Sequence, residues 1–286
     1  MSKIAVVVVT CKRNLSYRYL HYLLSSFYSA GYQQYVDNPD YYFEIWESAD
    51  CISSELVNLS YSYPGVTIAF NAVKRTLFDN YINIISGQTE SFAWLLIVQD
   101  DVVLAKNFFF YLEWILPRLP EDLGLLDFFT YPPDAIGWPY LLWPYPPELF
   151  GGAQCILLRG ACSRDFLHSK AVRDHGEYKN VKYNPFVFEY DQGFYSHAHI
   201  DFCLGKYFKT ESKYKIYGHN PSIVQHVGGV NSTIGNVGER QSDNFIGKEY
   251  DCLYMLSQKM EEWEKIMKCK KEIWINSNKG IFTQTV

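Results

Sequence analysis

Ile4-Ala5-Val6-Val7-Val8-Val9 is mostly β-branched and apolar on both faces, the pattern of a strand buried in the middle of a parallel sheet. Ala93-Trp94-Leu95-Leu96-Ile97-Val98 repeats it. Between the two runs, helical and strand patterns alternate. Leu20, Leu23, Leu24 and Phe27 recur at helical spacing, and Gly31 stops that helix. Tyr42 to Trp46 and Val66 to Phe70 read as strands. Val73, Leu77, Tyr81 and Ile84 mark a second helix that ends near Gly87. Strand–helix alternation of this kind predicts an α/β fold with a mostly parallel sheet flanked by helices. Such sheets bind ligands beyond the carboxyl ends of their strands, so the residues that follow each strand carry the chemistry.

The middle of the chain reads differently. Six of the twelve prolines lie between Tyr131 and Pro147, with Trp138 and Trp143 among them. Proline cannot donate to a ladder, so this stretch is expected to be a loop or lid, its indole faces offered to the apolar faces of sugars or packed inward. Gly151 to Leu158 returns to strand-like sequence. Leu253, Leu256, Met260, Trp263 and Met267 follow a three/four spacing and predict a C-terminal amphipathic helix over 241–286, packed on the same domain with a poorly tethered tail.

Composition removes whole classes. A formal net charge of −5 argues against non-specific nucleic-acid binding, because neutralising phosphates needs clustered Lys and Arg. With 48% hydrophobic residues and 20% charged, disorder is excluded. The 17% aromatic content fits either an aromatic core or flat stacking surfaces. Seven scattered cysteines without a C-x-x-C point to neither a disulfide framework nor a zinc site. No stretch approaches the roughly 18 apolar residues of a membrane span. Asn14 and Asn231 sit in sequons within segments assigned below to the site, where a glycan would block the cleft. Together these features favour a reducing, cytoplasmic setting.

Three clusters can carry chemistry. Gln99-Asp100-Asp101 follows the second buried strand, and two adjacent carboxylates are costly there unless a positive partner joins them. A hard divalent cation bridging to a diphosphate meets that need; a solvated turn with a helix-capping Asp is the simpler reading. Pro221-Ser222-Ile223-Val224-Gln225-His226-Val227-Gly228 places an imidazole at the end of a short apolar strand, suited to a metal or phosphate contact or to a plain surface turn. Phe188-Glu189-Tyr190-Asp191-Gln192 precedes a helix, where Asp191 either caps or acts as a base. That helix also carries His197, His199 and Asp201. The two histidines, two residues apart, do not share a face.

In order and separation, these clusters resemble the GT-A-fold glycosyltransferases over about residues 3 to 235. The P-S-x-x-Q-H-x-G stretch is similar to the end of the catalytic domain in the N-acetylglucosaminyltransferase IV group. The resemblance implies a Rossmann-like GT-A catalytic domain over 1–240, with a nucleotide-sugar half over about 1–105 and an acceptor half over about 106–240. It implies that Asp101 and His226 ligate Mn²⁺ (or Mg²⁺). Asp100 would contact ribose or a metal-bound water, and Thr10 and Arg13 would line the nucleotide pocket. Glu47 would lie near the base or ribose, and Arg75 near the donor. Asp191 matches the catalytic carboxylate of inverting members. Gln99 departs from the pattern, since an acid is common there. The implied activity is transfer from a UDP-sugar, UDP-xylose or UDP-N-acetylglucosamine favoured, to a glycan or glycoprotein hydroxyl with inversion. Lacking an anchor and stem, the chain looks like a free-standing cytoplasmic transferase of microbial or viral type, such as those of large algal viruses.

Two other readings remain. A sugar nucleotidyltransferase would need a Gly-rich loop after the first strand, and Thr10-Cys11-Lys12-Arg13-Asn14 contains no glycine. A non-catalytic carbohydrate-binding protein could keep the same fold; intact Asp100, Asp101, Asp191 and His226 argue against it.

Overall fold

The computed structural model describes residues 3–11, 17–48, 53–71, 77–130, 141–178, 200–227, 242 and 245–254. Within them the chain is α/β. In chain order the elements are β1 (Ile4–Thr10), α1 (Arg18–Ser29), β2 (Tyr41–Glu47), α2 (Ser54–Tyr61), β3 (Val66–Phe70), α3 (Leu77–Gln88), β4 (Trp94–Gln99), β5 (Val102–Leu104) and α4 (Phe108–Ile115). There follow β6 (Leu123–Asp127), β7 (Leu142–Tyr145), β8 (Cys155–Arg159), α5 (Gly160–Leu167), α6 (Lys170–Tyr178), α7 (Ile200–Thr210), β9 (Lys215–His219) and β10 (Val224–His226). Eight strands form one sheet in the order β3-β2-β1-β4-β8-β6-β9-β7. The β3-β2-β1-β4 half is wholly parallel; β8 runs antiparallel to both β4 and β6, β6 and β9 are parallel, and β7 closes the far edge antiparallel. The sheet is therefore mostly parallel, as expected.

All seven residues of β1 are buried, and its pleat divides them between two cores. Ile4, Val6 and Val8 join Leu20, Leu24 and Phe27 of α1 on one face. Ala5, Val7 and Val9 join Phe78, Tyr81 and Ile84 of α3 on the other. Strand β4 does the same, with Leu96 and Val98 on the first face and Leu95 and Ile97 on the second. Helix α1 ends where expected: Gly31 takes φ +88°, a left-handed conformation that glycine adopts without penalty. A Cβ on Gly31 would also stand 2.6 Å from the ring of Phe110.

Among the described residues, most of the tyrosines and phenylalanines are core residues. Phe27, Tyr32, Phe43 and Phe109 pack edge to face at centroid distances of 5.3–5.6 Å.

The proline-rich segment is a correction. Residues 131–140, with Trp138, lie outside the described residues, as do most of the expected C-terminal helix and tail. Leu142 to Tyr145, however, is strand β7 rather than loop. Pro144 stands opposite Tyr217 on the outermost strand of the sheet, where a missing N–H costs little. Trp143 is 6% exposed and packs on Tyr145 at 4.7 Å, so it belongs to the core and not to a sugar-facing lid.

Two stability changes follow. Gly31→Ala should lower the unfolding free energy by about 1–2 kcal/mol for the left-handed backbone alone, read from urea titrations. Trp143→Ala should cost about 3–5 kcal/mol, as expected for a buried ring; a stable Trp143→Ala protein with weakened sugar binding would return this residue to the surface role.

Candidate active site at the carboxyl edge of the sheet

The carboxyl ends of β1, β2, β4 and β6 bring Thr10, Glu47, Asp100 and Asp127 to one edge. Thr10 Oγ1 donates to Asp100 Oδ2 at 2.8 Å, and the Asp100 amide donates to the Val9 carbonyl at 3.0 Å. Glu47, level with Thr10 in the β1–β2 register, is fully buried. Tyr17 hydrogen-bonds to Glu47 and Ser53, and its phenol is held above its ordinary pKa by burial first and by Glu47 second. Beyond β3, Asn71 Nδ2 donates to Asn80 Oδ1 at 2.7 Å, Asn83 donates to Asn71 at 3.0 Å, and Asn80 donates to Ser48 at 2.7 Å. This amide chain braces the ends of β2 and β3 from beneath.

Asp101 is met by an element from far along the chain. Strand β10 pairs antiparallel with β5, His226 opposite Val102, and the Val227 amide donates to the Asp101 carbonyl at 2.7 Å. His226 Nε2 thereby stands 3.3 Å from Asp101 Oδ2, with side-chain exposures of 10% and 6%. The rest of the motif holds β10 in place. Ser222 Oγ is within 3.0 Å of the Phe128 carbonyl and 2.6 Å of that of Val224. Gln225 Oε1 accepts the Ser242 amide at 2.9 Å while its Nε2 donates to the Ser242 carbonyl at 3.3 Å.

Beneath the turn lies His219, fully buried. Its Nδ1–H donates to the Pro221 carbonyl at 2.6 Å, which leaves Nε2 to accept the Tyr111 hydroxyl at 2.6 Å. Burial pushes its pKa down to about 4, so it stays neutral and its tautomer is fixed.

One carboxylate oxygen and one imidazole nitrogen form a mixed donor pair for a divalent transition-metal cation. Two neighbouring ligands, each about 2.1 Å from a six-coordinate ion, lie about 3 Å apart, close to the Asp101–His226 separation. Among the described residues no group of three or more His, Cys, Asp or Glu side chains could hold a metal. A cation here would take its remaining ligands from phosphate and water, the usual arrangement for Mg²⁺ with nucleotides.

Thus Thr10, Glu47, Asp100, Asp101 and His226 meet at one edge. Arg13, Arg75 and Asp191, with Glu189, His197 and His199, lie outside the described residues. Of two further carboxyl groups, the sequence places Asp201 on the helix after Asp191, and Asp127 is not singled out by pattern. Asp201, in the first turn of α7, accepts the Ala153 amide at 3.3 Å. Asp127 ends β6, and the signal for it was present: Leu123-Gly124-Leu125-Leu126-Asp127 is an apolar run closed by an acid, like the run before Asp100.

No protein-family model and no curated protein matches the sequence. Among solved structures, the chain is similar to TarS 1–349 of S. aureus in complex with UDP, at 11% identity and a TM-score of 0.48, over 78% of this chain and 59% of that one. It is also similar to the mannosyltransferase PcManGT of Pyrobaculum calidifontis in complex with GDP-Man and Mn²⁺, at 12% identity and a TM-score of 0.40, over 58% of this chain and 46% of that one. The bifunctional glycosyltransferase WbbM matches at 12% and 0.36, over 58% and 34%. The chain covers less than two thirds of the length of each. Among the described residues no helix is long and apolar enough to cross a membrane.

Proposed function

We propose that the chain is a metal-dependent glycosyltransferase that moves a sugar from a UDP-sugar, UDP-xylose or UDP-N-acetylglucosamine, to a glycan hydroxyl with inversion at the anomeric carbon. The observation that carries this reading is the Asp101–His226 pair, a carboxylate and an imidazole 3.3 Å apart beside Asp100, at the sheet edge where α/β folds bind phosphorylated ligands.

Asp101 and His226 would hold Mn²⁺ or Mg²⁺, which when bound neutralises the charge that develops on the departing diphosphate. Thr10 orients Asp100, so that its second oxygen is presented toward the ribose side. Glu47 fixes Tyr17 and the segment leading into α1 beside the nucleotide, with Arg13 and Arg75 supplying positive charge to the phosphates. Asp191 removes the acceptor hydroxyl proton. The new bond from the acceptor oxygen forms on the face opposite the breaking bond to phosphate, and the electron pair of that bond leaves with UDP.

Calorimetric titration of UDP with and without Mn²⁺ tests the site. Asp101→Ala and His226→Ala should each weaken Mn²⁺-dependent UDP binding by roughly tenfold or more, the scale of a lost charge-assisted contact. Unchanged affinity after EDTA treatment would sink the metal assignment. Asp191→Asn should lower transfer by about a hundredfold to ten-thousandfold at near-normal UDP affinity. NMR of the product should show the anomeric configuration inverted; retention would remove Asp191 from the mechanism.

A further inference from the structure

Asp127 closes β6 with no exposed surface. Its Oδ1 accepts the Phe129 amide at 2.9 Å, while its Oδ2 is buried without a hydrogen-bond donor. Gln154, just before β8, has a buried Oε1 in the same condition. Both oxygens lie beside Gly152. From the place a Cβ would occupy on Gly152, Gln154 Oε1 is 2.9 Å away and Asp127 Oδ2 3.5 Å. Two buried acceptors side by side without a donor are costly. One proton on Oδ2 satisfies both.

A rotated Gln154 amide would also supply a donor, but would leave Asp127 ionised in the interior. The surroundings decide against that. Among the described residues, the titratable groups that act on Asp127 from the elements around it are Asp201 of α7, Tyr145 of β7 and Cys155 of β8, and no cation is among them. Burial, reinforced by Asp201, holds its acid well above the ordinary carboxylate range, and the Phe129 N–H opposes this only in part.

The segment that Asp127 faces is tied on its other side to the strand that ends in the acidic pair. Gln154 O accepts the Gln99 amide at 2.8 Å, and Ala153 O accepts the Tyr81 hydroxyl, which itself accepts Gln99 Nε2 at 3.2 Å. The Ala153 amide goes to Asp201 at 3.3 Å, and the Cys155 carbonyl accepts the Phe128 amide at 3.0 Å.

We propose that Asp127 is a positioning residue that works as a neutral acid, its Oδ2–H donating to Gln154 Oε1 and so setting the backbone of Gly151–Gln154 as the floor beneath the transferred sugar. The role toward the sugar rests on the glycosyltransferase reading; the proton does not.

Infrared spectroscopy of protein carrying ¹³C-carboxyl aspartate reads the proton directly. At neutral pH a carboxylic-acid carbonyl band should be present, lost in Asp127→Asn and kept in Asp101→Ala. Stability supplies the second reading. The unfolded chain ionises this group near pH 4 and the folded one does not, so the parent loses stability as pH rises from there toward the folded pKa. Asp127→Asn, whose amide donates where the O–H did, should match the parent near pH 4 and melt a few degrees higher near pH 8. Its transfer rate should stay within about threefold of the parent, whereas Asp127→Ala should raise the donor-sugar KM roughly tenfold with UDP affinity unchanged. Absence of the acid band, or equal melting of parent and Asp127→Asn at every pH, overturns the neutral acid. A folded Asp127→Asn protein slowed by about a hundredfold overturns the positioning role, since the carboxylate itself would then be reacting. Should Asp127→Ala not fold, the band and the Asn variant still decide. A protein that binds no UDP would refute the transferase reading, and the infrared and melting results would still decide the proton.

Discussion

The structure depends on one constraint: β1 and β4 are apolar on both faces and must be covered on both. Val6 and Val8 are buried under α1, Val7 and Val9 under α3, so no polar side chain can be tolerated along these strands. Polar chemistry is thereby driven to the ends. Because β3, β2, β1 and β4 are parallel, their carboxyl ends fall on the same edge, and Thr10, Glu47 and Asp100 arrive together without any contact between them in sequence. The hydrogen bond from Thr10 to Asp100, across 90 residues, is the consequence of that alignment.

How much of this could be read in advance follows from the same constraint. A strand buried on both faces has a strong sequence signature, and β1, β2, β3 and β4 fall within a residue or two of the expected runs. Asp100, Asp101 and His226 were legible because each stands at or just past the end of an apolar run. The pairing of His226 with Asp101 came from the family resemblance and not from local pattern, since it is made by the three-residue strands β5 and β10, too short to have a periodicity. Trp143 was misread for a related reason. Proline excludes a residue from the interior of a sheet, but its rank at the edge is a tertiary fact that no local pattern records.

His219 and His226 show how position alone separates two imidazoles seven residues apart. His219 ends β9 under the Asn220–Ser222 turn, has both ring nitrogens engaged, and is kept neutral by burial. His226 ends β10 on the far side of that turn, where its Nε2 faces a carboxylate. The first is the strut on which the turn rests, and the turn presents the second. Tyr111 extends the strut into α4, so the geometry of the candidate metal pair is anchored in the core on the α1 side of the sheet.

The same logic separates the acids. Asp101 and Asp127 both follow buried strands at the carboxyl edge, yet their surroundings differ in kind. Asp101 has an imidazole 3.3 Å from one oxygen and stands where β5 turns away from the sheet, so a cation can share its charge. Asp127 is enclosed between β8 and β9, with Asp201 as its nearest influence and the Gly152–Gln154 backbone over it. An isolated carboxylate so placed would need several kcal/mol of compensation, which a proton supplies without any partner. Bare Gly152 permits this arrangement, because a Cβ there would stand 2.9 Å from Gln154 Oε1 and 3.5 Å from Asp127 Oδ2. One edge of the sheet therefore holds an acid disposed to share a cation and, two strands away, an acid disposed to keep its proton, and strand order alone determines which is which.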